Sequence, residues 1–287
     1  MQALLGQLLI GLINGSFYAL LSLGLAVIFG MLNIINFAHG ALYMMGAFCA
    51  YFLLHLTGLG YWPALIVAPI VVGIFGMILE RTMLKRLAGL DHLYGLLLTY
   101  GLALIIQGLF QNYFGSSGLP YNIPDELTGA VNLGFMYLPI YHAWVVVFSL
   151  AVCLSTWFLI ERTRLGAYLR AATENPTLVR AFGINVPRMV TLTYGLGVGL
   201  AALAGVLSAP INAVAPQMGA NLIIVVFAVV VIGGMGSIMG SIITGFALGV
   251  IEGLTKFLYP EASTTAVFVL MVVVLLVKPT GLTGRAA

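Results

Sequence analysis

Two amides and an imidazole stand close together in Asn33-Ile34-Ile35-Asn36-Phe37-Ala38-His39-Gly40, between two apolar runs. No charged residue is nearby, so their donors and acceptors must pair with protein groups or with water. One chemistry open to such a set is hydrogen bonding along non-helical backbone that lines a water-filled path or gate. A plain turn at the cytoplasmic surface is the lesser alternative. Asn14, Tyr18, Gln107 and Asn112 are further polar residues in or near apolar runs. Each alone suits an interhelical hydrogen bond better than a substrate contact. Glu252 is the one carboxylate deep in the last third of the chain, and Lys256 follows four positions later. That order favours an ion pair on a helix, and a direct part in gating or transport is the other reading. Gly233-Gly234-Met235-Gly236-Ser237 is denser in glycine than helix packing needs, and it predicts a broken helix.

Other chemistries find no residues. No Gly-x-x-x-x-Gly-Lys-Ser/Thr occurs, so no ATP site of that type is expected. His39, His55, His92 and His142 fall on different segments, so neither a metal cluster nor any cofactor is expected. No Ser-His-Asp arrangement follows from spacing, and catalytic residues are not expected. Glu252 alone is a poor basis for a proton relay across a membrane. The net charge of +3 bears on topology and not on nucleic acid. If this chain moves a solute, its energy comes from elsewhere or the movement is passive.

The elements that must position these residues are membrane helices. Met1 to Leu79 hold no Asp, Glu, Lys or Arg, and neither do Met189 to Ile251. A soluble core needs a charged outer face, whereas a charge at mid-bilayer costs about 2.5–3.5 kcal/mol on insertion scales. Hydrophobic residues make up 62% and charged residues 7% of the chain, with mean hydropathy +1.13. The apolar stretches are continuous rather than alternating, which argues against a β-barrel. The fold class expected is all-α, a polytopic integral membrane protein with about 8–10 transmembrane helices, some broken or partial. Apolar segments read as 4–30, 40–56, 62–83, 93–113, 138–160, 189–209, 222–235, 240–257 and 263–277, the short glycine-ended 222–235 being the partial one. Cys49 and Cys153 fall inside spans, so no structural disulfide is expected. The N-terminus lacks the basic region of a cleaved signal peptide. Residues 1–287 read as a single transmembrane domain without a soluble one.

Glycines four apart predict close helix approach at Gly11/Gly15, Gly195/Gly199, Gly236/Gly240 and Gly245/Gly249/Gly253. Arg81, Lys85 and Arg86 follow the third segment, five arginines lie between Glu161 and Arg188, and Lys278 and Arg285 lie near the C-terminus. Nine crossings put all of these on one face, which the positive-inside rule makes cytoplasmic. Loop 114–137 then lies outside, rich in Gly and Pro, and reads as irregular turns.

The cytoplasmic stretch 161–188 has its own local logic. Asn175 suits a helix N-cap, Pro176 the first helical position and Gly183 the left-handed residue that ends a helix. A short helix from about Pro176 to Phe182 follows, with Leu178, Val179, Ala181 and Phe182 apolar and Arg180 charged. It is too short to stand alone. It packs on the membrane or its own bundle, or it docks into a cytosolic partner through Phe182 and its neighbours.

Several segments in order resemble one family, the branched-chain amino-acid ABC transporter permeases. They are Gly15-Ser16-Phe17-Tyr18-Ala19-Leu20 with Gly24 and Gly30; Ile35-Asn36-Phe37-Ala38-His39-Gly40; Arg164-Leu165-Gly166 through Arg170-Ala171, then Glu174-Asn175-Pro176 and Gly183-Ile184-Asn185; Ile232-Gly233-Gly234-Met235-Gly236-Ser237 with Gly240, Gly245, Gly249 and Glu252; and Lys278-Pro279-Thr280-Gly281-Leu282. The size is similar to that of the shorter, H-type subunit. The resemblance implies a pore-forming subunit of an importer in a bacterial inner membrane. Its implied partners are a second related permease, two cytosolic ATPase subunits and a periplasmic solute-binding protein, within the lipid bilayer. It makes Arg164, Gly166, Arg170, Ala171, Glu174, Asn175, Pro176, Arg180, Phe182 and Gly183 the coupling loop to an ATPase. Candidates for the translocation path or gate are Asn14, Tyr18, Asn33, Asn36, Phe37, His39, Gly40, Gly233, Gly234, Gly236, Ser237 and Glu252. Relatives carry leucine, isoleucine and valine, but also urea, amides and aromatic acids, so the cargo stays open. A membrane-embedded enzyme or assembly factor using Asn33–His39, and a stand-alone channel or carrier, are the competing classes.

Overall fold

Backbone that enters lipid must satisfy its own hydrogen bonds, and the charge-free runs of this chain do so as long helices. The computed structural model describes residues 2–32, 35–87, 90–134 and 136–284. In chain order it forms α1 (Gln2–Leu32), α2 (Ala38–Thr57) and α3 (Tyr61–Leu79), the last continued by a π-helical turn (Glu80–Leu84) and α4 (Lys85–Leu87). Then come α5 (His92–Phe114), strands β1 (Ala130–Asn132) and β2 (Tyr137–Pro139), and α6 (Ile140–Arg162). The remainder is α7 (Arg164–Glu174), α8 (Pro176–Ala181), α9 (Val186–Asn212), α10 (Met218–Gly233), α11 (Ile238–Leu258) and α12 (Ser263–Val277).

Among the described residues, eight helical stretches are long and apolar enough to cross a membrane. The protein is an all-α polytopic membrane protein. The shorter α10 has 16 residues, which at 1.5 Å each span about 24 Å, less than a hydrocarbon layer of about 30 Å. That matches the partial segment expected at 222–235. The outer loop departs from expectation. It is not wholly irregular, because β1 and β2 pair antiparallel with Val131 opposite Leu138. Three residues per strand are too few for an alternating pattern to show in the sequence.

The chain forms two compact units. One comprises Met1–Leu23, Asn122–Cys153 and Ile224–Ala287. In it α1 lies on α11 through facing glycines. A methyl group on Gly11, Gly249 or Gly253 would strike the backbone of the opposite helix, and one on Gly15 would press on Phe246, so glycine permits this approach. The other comprises Gly24–Tyr121 and Leu154–Ile223. There α9 packs on α2 at Gly46 and Gly205, and on α3 at Gly76 and Gly195. Ile28, Leu42, Val72, Leu79, Tyr194, Val198 and Ala202 build one buried cluster around these crossings. Ile66, Ile70, Ile74 and Ile78 are exposed at four-residue spacing along α3, a face suited to acyl chains.

One expected glycine pair is not a helix-packing pair. Gly236 lies in the turn before α11 with φ 81°, and Gly240 faces Gly233 and Thr283. The four-residue spacing there bridges a turn and a helix start, so it does not mark one helical face.

Candidate functional site

The sequence-derived site residues fall in four places. The first is the link between α1 and α2. Asn33 lies outside the described residues. Asn36 is buried and works in both directions: its Nδ2 donates to the Tyr194 hydroxyl at 3.0 Å, and its Oδ1 accepts from the Ala38 N–H at 3.1 Å. Thr99 of α5 holds the rest of the link. Its Oγ1 donates to the Ile35 carbonyl at 3.2 Å and accepts from the Phe37 N–H at 3.2 Å. The Phe37 ring meets Tyr100 edge to face, centroids 6.2 Å apart. His39 is fully buried, and its ring lies against the glycine surface of Gly24. Gly40 packs so closely on Gly219 of α10 that neither position has room for a side chain. The unwound link is thus tied down by protein groups at Asn36, Phe37 and Ala38.

The second place joins α1 to α11. The Tyr18 hydroxyl donates to Glu252 Oε2 at 2.6 Å, and Lys256 Nζ lies 2.7 Å from Glu252 Oε1. Both expected contacts are present, the interhelical hydrogen bond of Tyr18 and the i,i+4 ion pair. Glu252 is 8% exposed. A carboxylate so buried persists only with each oxygen engaged. Asn14 lies one turn before Tyr18 on α1 and is half-buried.

The third place is the break at Gly233–Ser237. α10 ends at Gly233 and α11 begins at Ile238, with Gly234 and Gly236 at φ 104° and 81°. Only glycine adopts two such left-handed residues cheaply. The segment after α12 comes back to this break. The Leu282 N–H donates to the Ile232 carbonyl at 2.8 Å, and the Thr283 N–H and Oγ1 both donate to the Gly233 carbonyl, at 3.2 and 2.6 Å. Ser237 bonds the Thr283 hydroxyl at 2.7 Å and accepts from the Gly240 N–H as N-cap of α11. The carbonyls that α10 leaves open are therefore filled by the C-terminal segment. Sequence reading placed the break but not the segment that holds it.

The fourth place is the stretch 161–188. α8 spans Pro176–Ala181, Asn175 Oδ1 accepts from the Leu178 N–H at 2.9 Å, and Gly183 has φ 80°. Cap, first turn and end all stand where the residue types put them. Ahead of α8 lies α7, which the sequence reading left unassigned. Its signal was present: Gly166, Leu169 and Ala172 recur at three-residue spacing and are buried. Arg170 donates to the Ile160 carbonyl at 3.1 Å and pairs with Glu161 at 3.3 Å, clamping α7 against the end of α6. Val179 packs with Ala172 and Val186, so the short helix rests on its own chain. Its other face is open. Phe182 is 76% exposed and Leu178 54%. Arg164, Ala171, Glu174, Pro176 and Arg180 are exposed as well. Large exposed apolar side chains mixed with Arg are the composition of a docking surface.

One buried carboxylate was missed. Glu80 is 3% exposed and accepts from Thr191 Oγ1 at 2.6 Å. It lies inside the apolar segment 62–83 and directly before Arg81, and the sequence reading assigned it no role. The structure instead puts it at the start of a π-helical turn, and such turns inside helices are frequent at functional sites.

Membrane-length helices, close glycine crossings, polar junctions held by protein hydrogen bonds and an exposed amphipathic loop define a multi-pass helical membrane protein. Residues 7–277 match the family described as branched-chain amino acid transport system / permease component. The chain is 31% identical over 294 residues to the high-affinity branched-chain amino acid transport system permease protein BraD of Pseudomonas aeruginosa, covering 98% of this chain and 96% of that one. It is 31% identical over 301 residues to LivH of Escherichia coli, with the same coverage, and 29% identical over 294 residues to the probable LivH of Methanocaldococcus jannaschii, covering 95% and 90%. The chain belongs to this family of permease components, and it is a transport subunit rather than an enzyme.

Proposed function

We propose that this chain is the membrane-spanning permease subunit of an ATP-driven, binding-protein-dependent importer that carries branched-chain amino acids across the bacterial inner membrane. In this reading residues 1–287 act as a single permease domain. A second related permease completes the pore, two cytosolic ATPase subunits supply energy, and a periplasmic solute-binding protein delivers the cargo. α7 and α8 form the coupling loop, and closure of the ATPase pair moves α8 and with it the access of the bundle. Asn14, Tyr18, Asn36, Phe37, His39, Gly40 and Glu252, with the break at Gly233–Ser237, are the proposed path or gate. The observation that carries the reading is the similarity to permease components over nearly the whole chain, together with the exposed Phe182 on a helix whose opposite face, Val179, is anchored.

The test is uptake of labelled leucine by cells that express the chain with the gene products encoded beside it. Phe182→Asp and Arg180→Glu are expected to insert at wild-type levels and to abolish ATP-dependent uptake. Val179→Asp is expected to loosen α8 itself, seen as new protease cleavage between residues 164 and 188. Normal uptake in both of the first two variants would remove the docking role. Uptake of urea or an aromatic acid with no leucine uptake would replace the cargo and keep the mechanism. Uptake by the chain alone in proteoliposomes, without ATPases, would replace the importer by a carrier.

A further inference from the structure

A cavity of about 400 Å³ lies at the junction of the π-helical turn that ends α3 with the start of α9. Its lining is Arg81, Lys85, Asn185, Pro187, Arg188 and Thr191. Three of these six are cations, and they come from helices a hundred residues apart in sequence. Among the described residues none of the three has a carboxylate within ion-pair distance; the ion pairs are Arg170–Glu161 and Lys256–Glu252. Glu80, the nearest acid in sequence, is buried and accepts from Thr191. Asn185 Oδ1 caps α9 by accepting from the Arg188 N–H. The cavity thus holds a positive excess, strengthened by the positive end of the α9 dipole.

The surroundings say what kind of anion fits. Ile78 and Ile74, one and two turns before Arg81 along α3, are exposed, and so is Leu192, one turn after Arg188 on α9. An apolar strip therefore leads along both helices to a basic pocket at the membrane edge. The positive-inside rule places this edge on the cytoplasmic face. Basic pockets between transmembrane helices on that side suit phosphate headgroups. Retention of cations near a membrane surface needs no cavity; three unpaired cations converging on one, with an apolar approach, indicate a ligand.

We infer that this cavity binds a phosphate oxyanion, supplied by the headgroup of an anionic phospholipid whose acyl chains lie along Ile74, Ile78 and Leu192. The site borders the stretch 161–188 through Asn185, Pro187 and Arg188 but lies outside α7 and α8, and it does not depend on which solute is carried.

The test is native mass spectrometry of the full chain taken from mixed phosphatidylglycerol and phosphatidylcholine vesicles. Wild type is expected to retain phosphatidylglycerol in preference to phosphatidylcholine. Arg81→Gln with Lys85→Gln is expected to lower the phosphatidylglycerol affinity about thirtyfold, the loss anticipated for two cations beside an anionic headgroup. Arg188→Gln alone is expected to lower it about fivefold. Arg86→Gln, outside the cavity lining, is expected to leave it unchanged. All four side chains are exposed, and an unchanged melting temperature shows that each variant is folded. Equal retention of phosphatidylglycerol in wild type and variants would overturn the site. Binding of inorganic phosphate at the cavity without lipid would overturn the lipid as its source. Loss of ATPase co-purification in Arg188→Gln, with lipid retention intact, would reassign the cations to a protein contact.

Discussion

The Tyr18 hydroxyl and the Glu252 carboxylate, 234 positions apart, meet at 2.6 Å between α1 and α11. Glu252 is held from its own helix by Lys256 at 2.7 Å and from the facing helix by Tyr18. Around this contact the two helices meet largely through glycines, with Gly15 against Phe246 and Gly245 against Ala19, and the polar pair adds a directional contact to that packing. Tyr18→Phe keeps the ring and removes the donor. It is expected to cost about 1–3 kcal/mol, because a buried carboxylate oxygen loses its partner. Adding Glu252→Gln is expected to recover part of this loss, since an amide is cheaper to leave underbonded than a charge. Thermal unfolding in detergent checks both, and a Tyr18→Phe variant as stable as wild type would show that the bond contributes nothing.

A second polar crossing lies between Asn36 and Tyr194, in the other compact unit. Asn36 is 1% exposed and Tyr194 2%. Asn36→Ala is expected to destabilise by about 1–3 kcal/mol, the cost of stranding the Tyr194 hydroxyl and the Ala38 N–H. Tyr194→Phe removes only one of those bonds and is expected to cost less. A double-mutant cycle is expected to give a coupling of about 0.5–1.5 kcal/mol. Strict additivity of the two changes would mean that the contact does not form. Transport assays on the same variants separate a gate from a tether: a tether loses uptake only in proportion to folded protein.

Legibility of the sequence followed the range of the interaction. The α8 helix was readable because Asn175, Pro176 and Gly183 act on their immediate neighbours, and nothing distant revises them. The helix break at Gly233–Ser237 was readable for the same reason. Tyr18 and Glu252 were each recognisable as polar residues in apolar runs, but their pairing depends on how α1 and α11 come together, which no local pattern encodes. Glu80 was assigned no role, and its burial depends on the distant Thr191. The hold of Thr283 on Gly233 was invisible because a short polar segment after the last helix reads as a loose end. Family resemblance compensated for part of this, since it covers nearly the whole chain and does not depend on range.

Glycine positions divide into those that carry helix contacts and those that do not. Gly249 faces the backbone of Gly15 and Gly11, whereas Gly101 on α5 has open space where a side chain would go. Gly249→Ala is expected to force α1 and α11 apart and to cost about 1–3 kcal/mol, typical of overpacking. Gly101→Ala is expected to be neutral or to stabilise by up to about 1 kcal/mol, because alanine is the better helix former. Melting temperatures of the two variants in one detergent decide the matter. Equal effects would mean that the α1–α11 glycine contact is not what holds these helices.

The C-terminal segment supplies the last prediction. Gly281 has φ 78°, and a methyl group there would come within 2.5 Å of Gly234 Cα. Gly281→Ala therefore meets two obstacles, a left-handed backbone and a neighbouring backbone with no room. Thr283→Val is milder, removing the Oγ1 bonds to the Gly233 carbonyl and to Ser237 while keeping the shape. The Thr283 N–H still reaches the Gly233 carbonyl, so Thr283→Val is expected to cost about 1 kcal/mol. Gly281→Ala is expected to cost more, by releasing the whole segment and exposing the ends of α10 and α11. Hydrogen exchange at residues 232–241 measures this directly. Faster exchange there in Gly281→Ala, with α2 and α9 unchanged, is the expected result. Unchanged exchange at 232–241 would mean that the break between α10 and α11 is held by its own glycines and Ser237, without the C-terminal segment.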